Sequence, residues 1–126
     1  MTQVWIVDDD EEMAKAVSLM LKLLDCQSQH YLNARSAAQA LLAGKRPDLI
    51  ILDMNMPEVT GLMMLEFIRR RPEWKNLPII MLSSEAADVQ VDQAMNLGAD
   101  GYATKPVSLD ELETAIQTAF QKHGKI

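Results

Sequence analysis

Short apolar runs alternate along the chain with longer segments whose apolar residues recur every three or four positions. Val4–Val7 (VWIV), Asp48–Asp53 (DLIILD) and Pro78–Leu82 (PIIML) read as buried strands, and Gly101–Thr104 (GYAT) as a shorter one. Gln27–Leu32 (QSQHYL) is mostly polar and reads as an edge strand. Between the strands lie helical patterns. Met13, Val17, Met20, Leu21 and Leu24 share one face of a first helix. Ser36 is the expected N-cap of a second over Ala37–Ala43, with Gly44 as its stop. A third runs from Gly61 to about Arg71 and ends at Pro72. A fourth covers Asp88–Leu97, closed by Gly98. The last starts at Ser108 with Glu111 three residues on, and Leu112, Ile116, Ala119 and Phe120 face inward.

Five strands alternating with five helices predict an α/β protein. Continuous apolar strands joined by helical crossovers imply a parallel sheet covered on both faces. The expected architecture is a flavodoxin-like, doubly wound (βα)5 three-layer sandwich with a five-stranded parallel sheet of order 2-1-3-4-5. The chain shows no internal repeat, low-complexity stretch or linker, so residues 1–126 are expected to form one domain. In open sheets of this kind, ligands bind beyond the carboxyl ends of the strands, at the point where strand order reverses.

The residues that follow the strands carry the chemistry. Asp8, Asp9 and Asp10 follow the first, and Asp53 closes the third ahead of Met54, Asn55, Met56 and Pro57. Ser83, Ser84 and Glu85 follow the fourth, and Lys105 and Pro106 the fifth. With strands one and three adjacent, Asp8, Asp9 and Asp53 converge, flanked by Ser83 and Lys105. Crowded carboxylates repel, and a hard divalent cation such as Mg²⁺ would hold them while keeping room for a phosphate oxygen. A lysine and a hydroxyl beside it complete a phosphoryl-transfer environment. A carboxylate can itself be the nucleophile, forming an aspartyl phosphate.

Composition narrows the classes. Apolar residues make up 48% of the 126-residue chain, enough for a real core. No apolar run approaches the roughly 20 residues that span a bilayer. The N-terminus lacks the pattern of a signal peptide, so a cytoplasmic protein is expected. Twelve basic against eighteen acidic residues give a net charge of −6, which argues against nucleic-acid binding by this domain. The one basic cluster, Arg69, Arg70 and Arg71, is read as a solvated helix end. Cys26 is the only cysteine, which excludes an internal disulfide and a four-thiolate metal site. His30 and His123 have no metal-type spacing, and the nine methionines scatter as core filling does.

VDDD, LDMNMPEVTG, LSSE and YATKP, in that order and spacing, resemble the receiver domain of two-component response regulators, chemotaxis-type regulators in particular. The resemblance covers nearly the whole chain. It implies that Asp53 is the phosphoacceptor, taking a phosphoryl group from a phosphohistidine on a sensor histidine kinase or phosphotransfer protein. It implies that Asp8 and Asp9 position Mg²⁺, Asp9 directly and Asp8 through water, and that Asn55 supplies its backbone carbonyl. Lys105 matches the lysine that pairs with the phosphoacceptor, and Pro106 the proline after it, where the bond is usually cis. Ser83 matches the switch hydroxyl and Tyr102 the aromatic switch. Asn55 and Glu85 match the two positions that tune dephosphorylation, and small Ser84 leaves water access. Trp5, bulky for the first strand, and Thr60, where the family often has Asp, are the departures.

The resemblance further implies a signalling switch rather than an enzyme, catalysing only its own phosphorylation and autodephosphorylation. Its output would pass through the fourth helix, fifth strand and fifth helix to a downstream domain or protein. Phosphorylation-dependent homodimerisation stays open, as does an output domain beyond Ile126. The rival reading is a Mg²⁺-dependent phosphatase acting on an external substrate through an aspartyl phosphate. It needs a second acid and a cap, for which this chain has no insertion. A flavin-binding module is disfavoured, because carboxylates replace the phosphate loop after the first strand. Asp10, Glu11 and Glu12 are assigned to the helix start, as N-cap and acidic first turn.

Overall fold

The computed structural model describes residues 1–85 and 87–124. Five parallel strands, β1 (Thr2–Val7), β2 (Cys26–Tyr31), β3 (Leu49–Asp53), β4 (Ile79–Ser83) and β5 (Gly101–Thr104), form one sheet of order β2-β1-β3-β4-β5. Helices α1 (Glu11–Leu23), α2 (Ala34–Leu42), α3 (Gly61–Arg69), α4 (Asp88–Asn96) and α5 (Leu109–Lys122) supply the crossovers. The flavodoxin-like order is thus present, and the polar second strand is at the edge.

Strand alternation sorts the core into two layers. Trp5, Val7, Ile50, Leu52, Ile79 and Met81 pack with Ala34 and Leu41 of α2, Met64, Leu65 and Ile68 of α3 and Ala94 of α4. Val4, Ile6, Leu49, Ile51, Ile80 and Leu82 face the other way, onto Val17 and Leu21 of α1 and Leu112, Ile116 and Ala119 of α5. Each central strand is buried on both faces, hence its unbroken apolar sequence. Trp5 is accommodated against Tyr31 of the edge strand, with ring centroids 4.8 Å apart.

Helix starts other than that of α4 follow side-chain capping, with one correction. Asp10 Oδ1 accepts from the Glu12 and Met13 amides, and Ser108 and Glu111 form a reciprocal capping box. The second helix starts at Ala34 rather than Ala37, and its cap is Asn33, whose Oδ1 accepts from Ser36 N–H at 2.8 Å. Ser36 therefore lies inside the first turn. Asn33 competes as a cap at least as well as serine and comes earlier in the chain. At the other end Gly44 takes φ +95° and the Lys45 amide reaches back to Ala40 O, a Schellman-type stop. The third helix ends at Arg69, and Pro72 opens a 3₁₀ turn, Pro72–Trp74, rather than simply breaking the helix.

The reading of the arginine cluster as a solvated helix end is overturned for Arg69. Arg70 is exposed and paired with Glu66 one turn back at 2.6 Å, and the half-exposed Arg71 side chain stands 3.6 Å from Glu73. Arg71 lies over the Trp74 ring at 4.9 Å. Arg69 turns inward and donates to Gly98 O, Trp74 O and Asp100 Oδ2. Asp100, at the amino end of β5, also accepts from Ile79 N–H at 2.9 Å. His123 Nε2 stands 2.9 Å from that same oxygen, near enough for an ion pair but outside hydrogen-bond geometry. One carboxylate so fastens α3 to β4 and the start of β5 at the amino edge of the sheet, with the end of α5 beside it.

Candidate functional site

The opposite, carboxyl edge gathers the residues expected of a site. Strand register does the gathering: Val7 pairs with Leu52, Asp53 with Leu82, and Ser83 with Thr104. The residues at and just beyond these ends are therefore neighbours. Asp8 N–H donates to Tyr31 O at 3.1 Å, and the His30 ring nitrogen lies 2.7 Å from Asp8 O. The edge strand thus fixes where β1 delivers its first carboxylate. Histidine spacing gave no hint of this contact, which comes from the parallel register of β1 and β2.

Asp53 is buried, and the chain after it is drawn close by Gly61. Gly61 N–H donates to Met54 O, and a Cβ at Gly61 would collide with the Asp53 carbonyl. Thr60 caps α3 by accepting from Met63 N–H at 3.2 Å.

One carboxylate oxygen from each of Asp8, Asp9 and Asp53 lies within 4.8 Å of the other two. Lys105 Nζ stands 3.0 Å from Asp8 Oδ2 and 3.0 Å from Asp53 Oδ1. The other Asp8 oxygen accepts from Asp10 N–H at 2.9 Å. Asp8 Oδ2 is buried and has the Lys105 ion pair but no hydrogen bond, while Asp9 is exposed. Asn55 is exposed, and its amide lies 3.4 Å from Asp53 Oδ1. The donor set, three hard carboxylates with one lysine between two of them, suits an oxygen-seeking divalent cation.

Burial pushes the Asp53 carboxyl up to about 6; the Lys105 hydrogen bond opposes this and the Asp8 charge adds to it. Lys105 is half-buried, which opposes its charge, but its bonds to Asp8 and Asp53 prevail and shift it upward. The site so holds more negative charge than its lysine neutralises.

Ser83 is fully buried, and its Oγ accepts from Glu85 N–H at 3.1 Å. Glu85 O accepts in turn from Tyr102 O–H at 2.7 Å. Lys105 N–H donates to Ser83 O, and the Lys105–Pro106 peptide is cis. The Glu85 carboxylate accepts from Gln90 Nε2. The backbone of Glu85 thus joins Ser83 to Tyr102, a link that a sequence motif does not reveal.

Residues 4–117 match the response regulator receiver domain. The chain belongs to this family. The receiver is 32% identical to the KDP operon transcriptional regulatory protein KdpE of Escherichia coli, over 98% of this chain and 53% of that protein. It is 28% identical to the chemotaxis protein CheY of Pseudomonas aeruginosa, over 95% of this chain and 97% of that one. It spans about half the length of several of the curated relatives it matches, as with KdpE. Among solved structures, the Vibrio cholerae chemotaxis protein CheY4 aligns with a TM-score of 0.84 at 30% identity, covering 94% of this receiver and 98% of that chain.

Proposed function

We propose that this receiver is a cytoplasmic phosphorylation switch whose phosphoacceptor is Asp53, supplied by the phosphohistidine of a sensor kinase or phosphotransfer protein. The observation that carries the reading is the buried Asp53 carboxylate bridged through Lys105 to Asp8, with Asp9 beside them. An Asp53 oxygen attacks phosphorus; the new P–O bond forms as the P–N bond breaks, and the electron pair leaves on the imidazole. Lys105 moves from pairing Asp53 to pairing the new phosphate oxygens. Asp8, Asp9 and Asp53, with the Asn55 carbonyl, are the residues that would hold Mg²⁺. Bound there, the ion supplies positive charge against the transferring phosphoryl oxygens.

Ser83 supplies the hydroxyl that turns to the phosphate. Turning it frees Glu85 N–H, and the carbonyl of the same residue anchors Tyr102. The displacement so reaches the surface formed by α4, β5 and α5, where an output partner would bind. Asn55 and Glu85 flank the site and set water access for the return reaction. No external substrate is turned over.

Incubation with acetyl phosphate and Mg²⁺ tests this, followed by intact-mass measurement. The wild-type chain gains one phosphoryl group and Asp53→Asn gains none. Labelling of the variant, or steady turnover of small phosphomonoesters, overturns the reading.

A further inference from the structure

The β1–β2 ladder runs out one residue short of the candidate site. Its register ends at Val7 opposite Tyr31, and Asp8 N–H makes the last bond, to Tyr31 O at 3.1 Å. A continued parallel ladder would next bring the Asn33 amide to Asp8 O. The chain turns away instead, with Asn33 capping α2. No main-chain N–H among the described residues reaches Asp8 O. Asp8 is 1% exposed, so this carbonyl has little recourse to solvent. The His30 side chain takes the place of the missing amide, its Nε2 standing 2.7 Å from Asp8 O. It reaches there from the ladder position opposite Ile6. A carbonyl oxygen only accepts, so Nε2 carries the hydrogen and donates.

The peptide so held is the one that joins Asp8 to Asp9. Its C=O and the Asp9 N–H lie in one plane, so fixing the carbonyl fixes the direction in which the chain leaves for Asp9. The Asp8 side chain has restraints of its own, Asp10 N–H on Oδ1 and Lys105 beside Oδ2. Asp9 is exposed, and no hydrogen bond or ion pair holds its carboxylate among the described residues. Its approach to within 4.8 Å of the Asp8 and Asp53 oxygens therefore depends on the main chain. On one side that chain is fixed by Asp10, the cap of α1, and on the other by the His30 bond. We propose that His30 is a positioning residue for the acidic pair, presetting Asp8 and Asp9 for a divalent cation by holding the peptide between them. The proposal rests on the receiver reading for Mg²⁺ as that cation. The role needs an N–H donor of this reach and no charge on the ring, so glutamine should serve in its place. Losing it weakens cation binding without altering the chemistry at Asp53.

The test titrates Mg²⁺ calorimetrically, at one fixed pH, into the full wild-type chain, His30→Ala, His30→Leu, His30→Gln and Gln29→Ala. Leucine keeps bulk without a donor, and Gln29 is the exposed neighbour of His30 on β2. Mg²⁺ affinity falls about tenfold in His30→Ala and His30→Leu, returns in His30→Gln and is unchanged in Gln29→Ala. Labelling by acetyl phosphate, followed by mass, is the second readout. His30→Ala needs about tenfold more Mg²⁺ for half its maximal rate and reaches the wild-type rate at saturation. A bond that serves only the fold would lower the denaturation midpoint of His30→Ala and leave its Mg²⁺ affinity at the wild-type value, and that result overturns the proposal. A loss of affinity that glutamine does not restore overturns it too. If the variants rank as stated but the wild-type chain takes no phosphate, the switch reading falls and the role of His30 stands. A wild-type chain that binds no Mg²⁺ overturns both.

Discussion

The two edges of the sheet each bury carboxylates against a base, and they treat them in opposite ways. At the amino edge one carboxylate, Asp100, receives Arg69, the Ile79 amide and the nearby His123. At the carboxyl edge one lysine is shared by Asp8 and Asp53, with Asp9 adjoining. In the first arrangement the carboxylate charge is matched by a guanidinium and joins α3 to β4 and β5. The second is short of positive charge, and the Asp53 carboxyl rises to about 6 as burial outweighs the lysine. A buried charge that is fully paired belongs to the fold; one left underpaired at a strand end belongs to a ligand.

Breaking the amino edge should cost most. Asp100→Ala strands the Arg69 guanidinium and the Ile79 amide, and should lower unfolding stability by about 2–4 kcal/mol in a urea titration. Phosphorylation of the folded fraction should persist. A loss below about 0.5 kcal/mol would show that the ties at this edge carry little.

Breaking the underpaired edge should have the opposite sign. Asp53→Asn removes a charge the fold resists and should raise stability by about 1–2 kcal/mol near neutral pH. The pH dependence follows from the upward shift. Between the ordinary carboxylate value of 3.8 and about 6 the folded state holds the Asp53 proton more tightly than the unfolded chain. The contribution of this group is therefore complete below about pH 4 and is lost as pH rises through about 6. The wild-type stability curve should carry that decline without Mg²⁺, and the Asn variant should not.

A smaller effect separates helix starts from site chemistry. Thr60→Ala removes the cap of α3 beside the Asp53 loop and should cost about 1 kcal/mol, read as a shifted denaturation midpoint. Normal phosphate uptake is expected in that variant.

The carboxyl edge was legible in the sequence because each of its residues directly follows an apolar strand, and parallel order alone brings strand ends together. Asp8, Asp53, Ser83 and Lys105 could be placed from that pattern before any contact was known. The amino edge was not legible. Arg69, Asp100 and His123 sit on three distant segments, and no local pattern tells an inward arginine from a solvated one at a helix end. Arg69 was accordingly read as solvent-facing, and only tertiary packing shows otherwise. The Asn33 cap was missed for a local reason: two good capping residues stand three apart, and the backbone takes the first. The Glu85 link between Ser83 and Tyr102 runs through main-chain atoms, on which side-chain identity is silent.

The carboxyl edge, with three carboxylates around one lysine, is one cation short. Calorimetric titration of Mg²⁺ into the wild-type chain, Asp9→Ala and Glu12→Ala tests it directly. Asp9 faces solvent beside Asp53, whereas Glu12 belongs to the first turn of α1. One Mg²⁺ site is expected in the wild type and in Glu12→Ala, and none in Asp9→Ala. Equal binding by Asp9→Ala and the wild type, or no binding by any of the three, would contradict it.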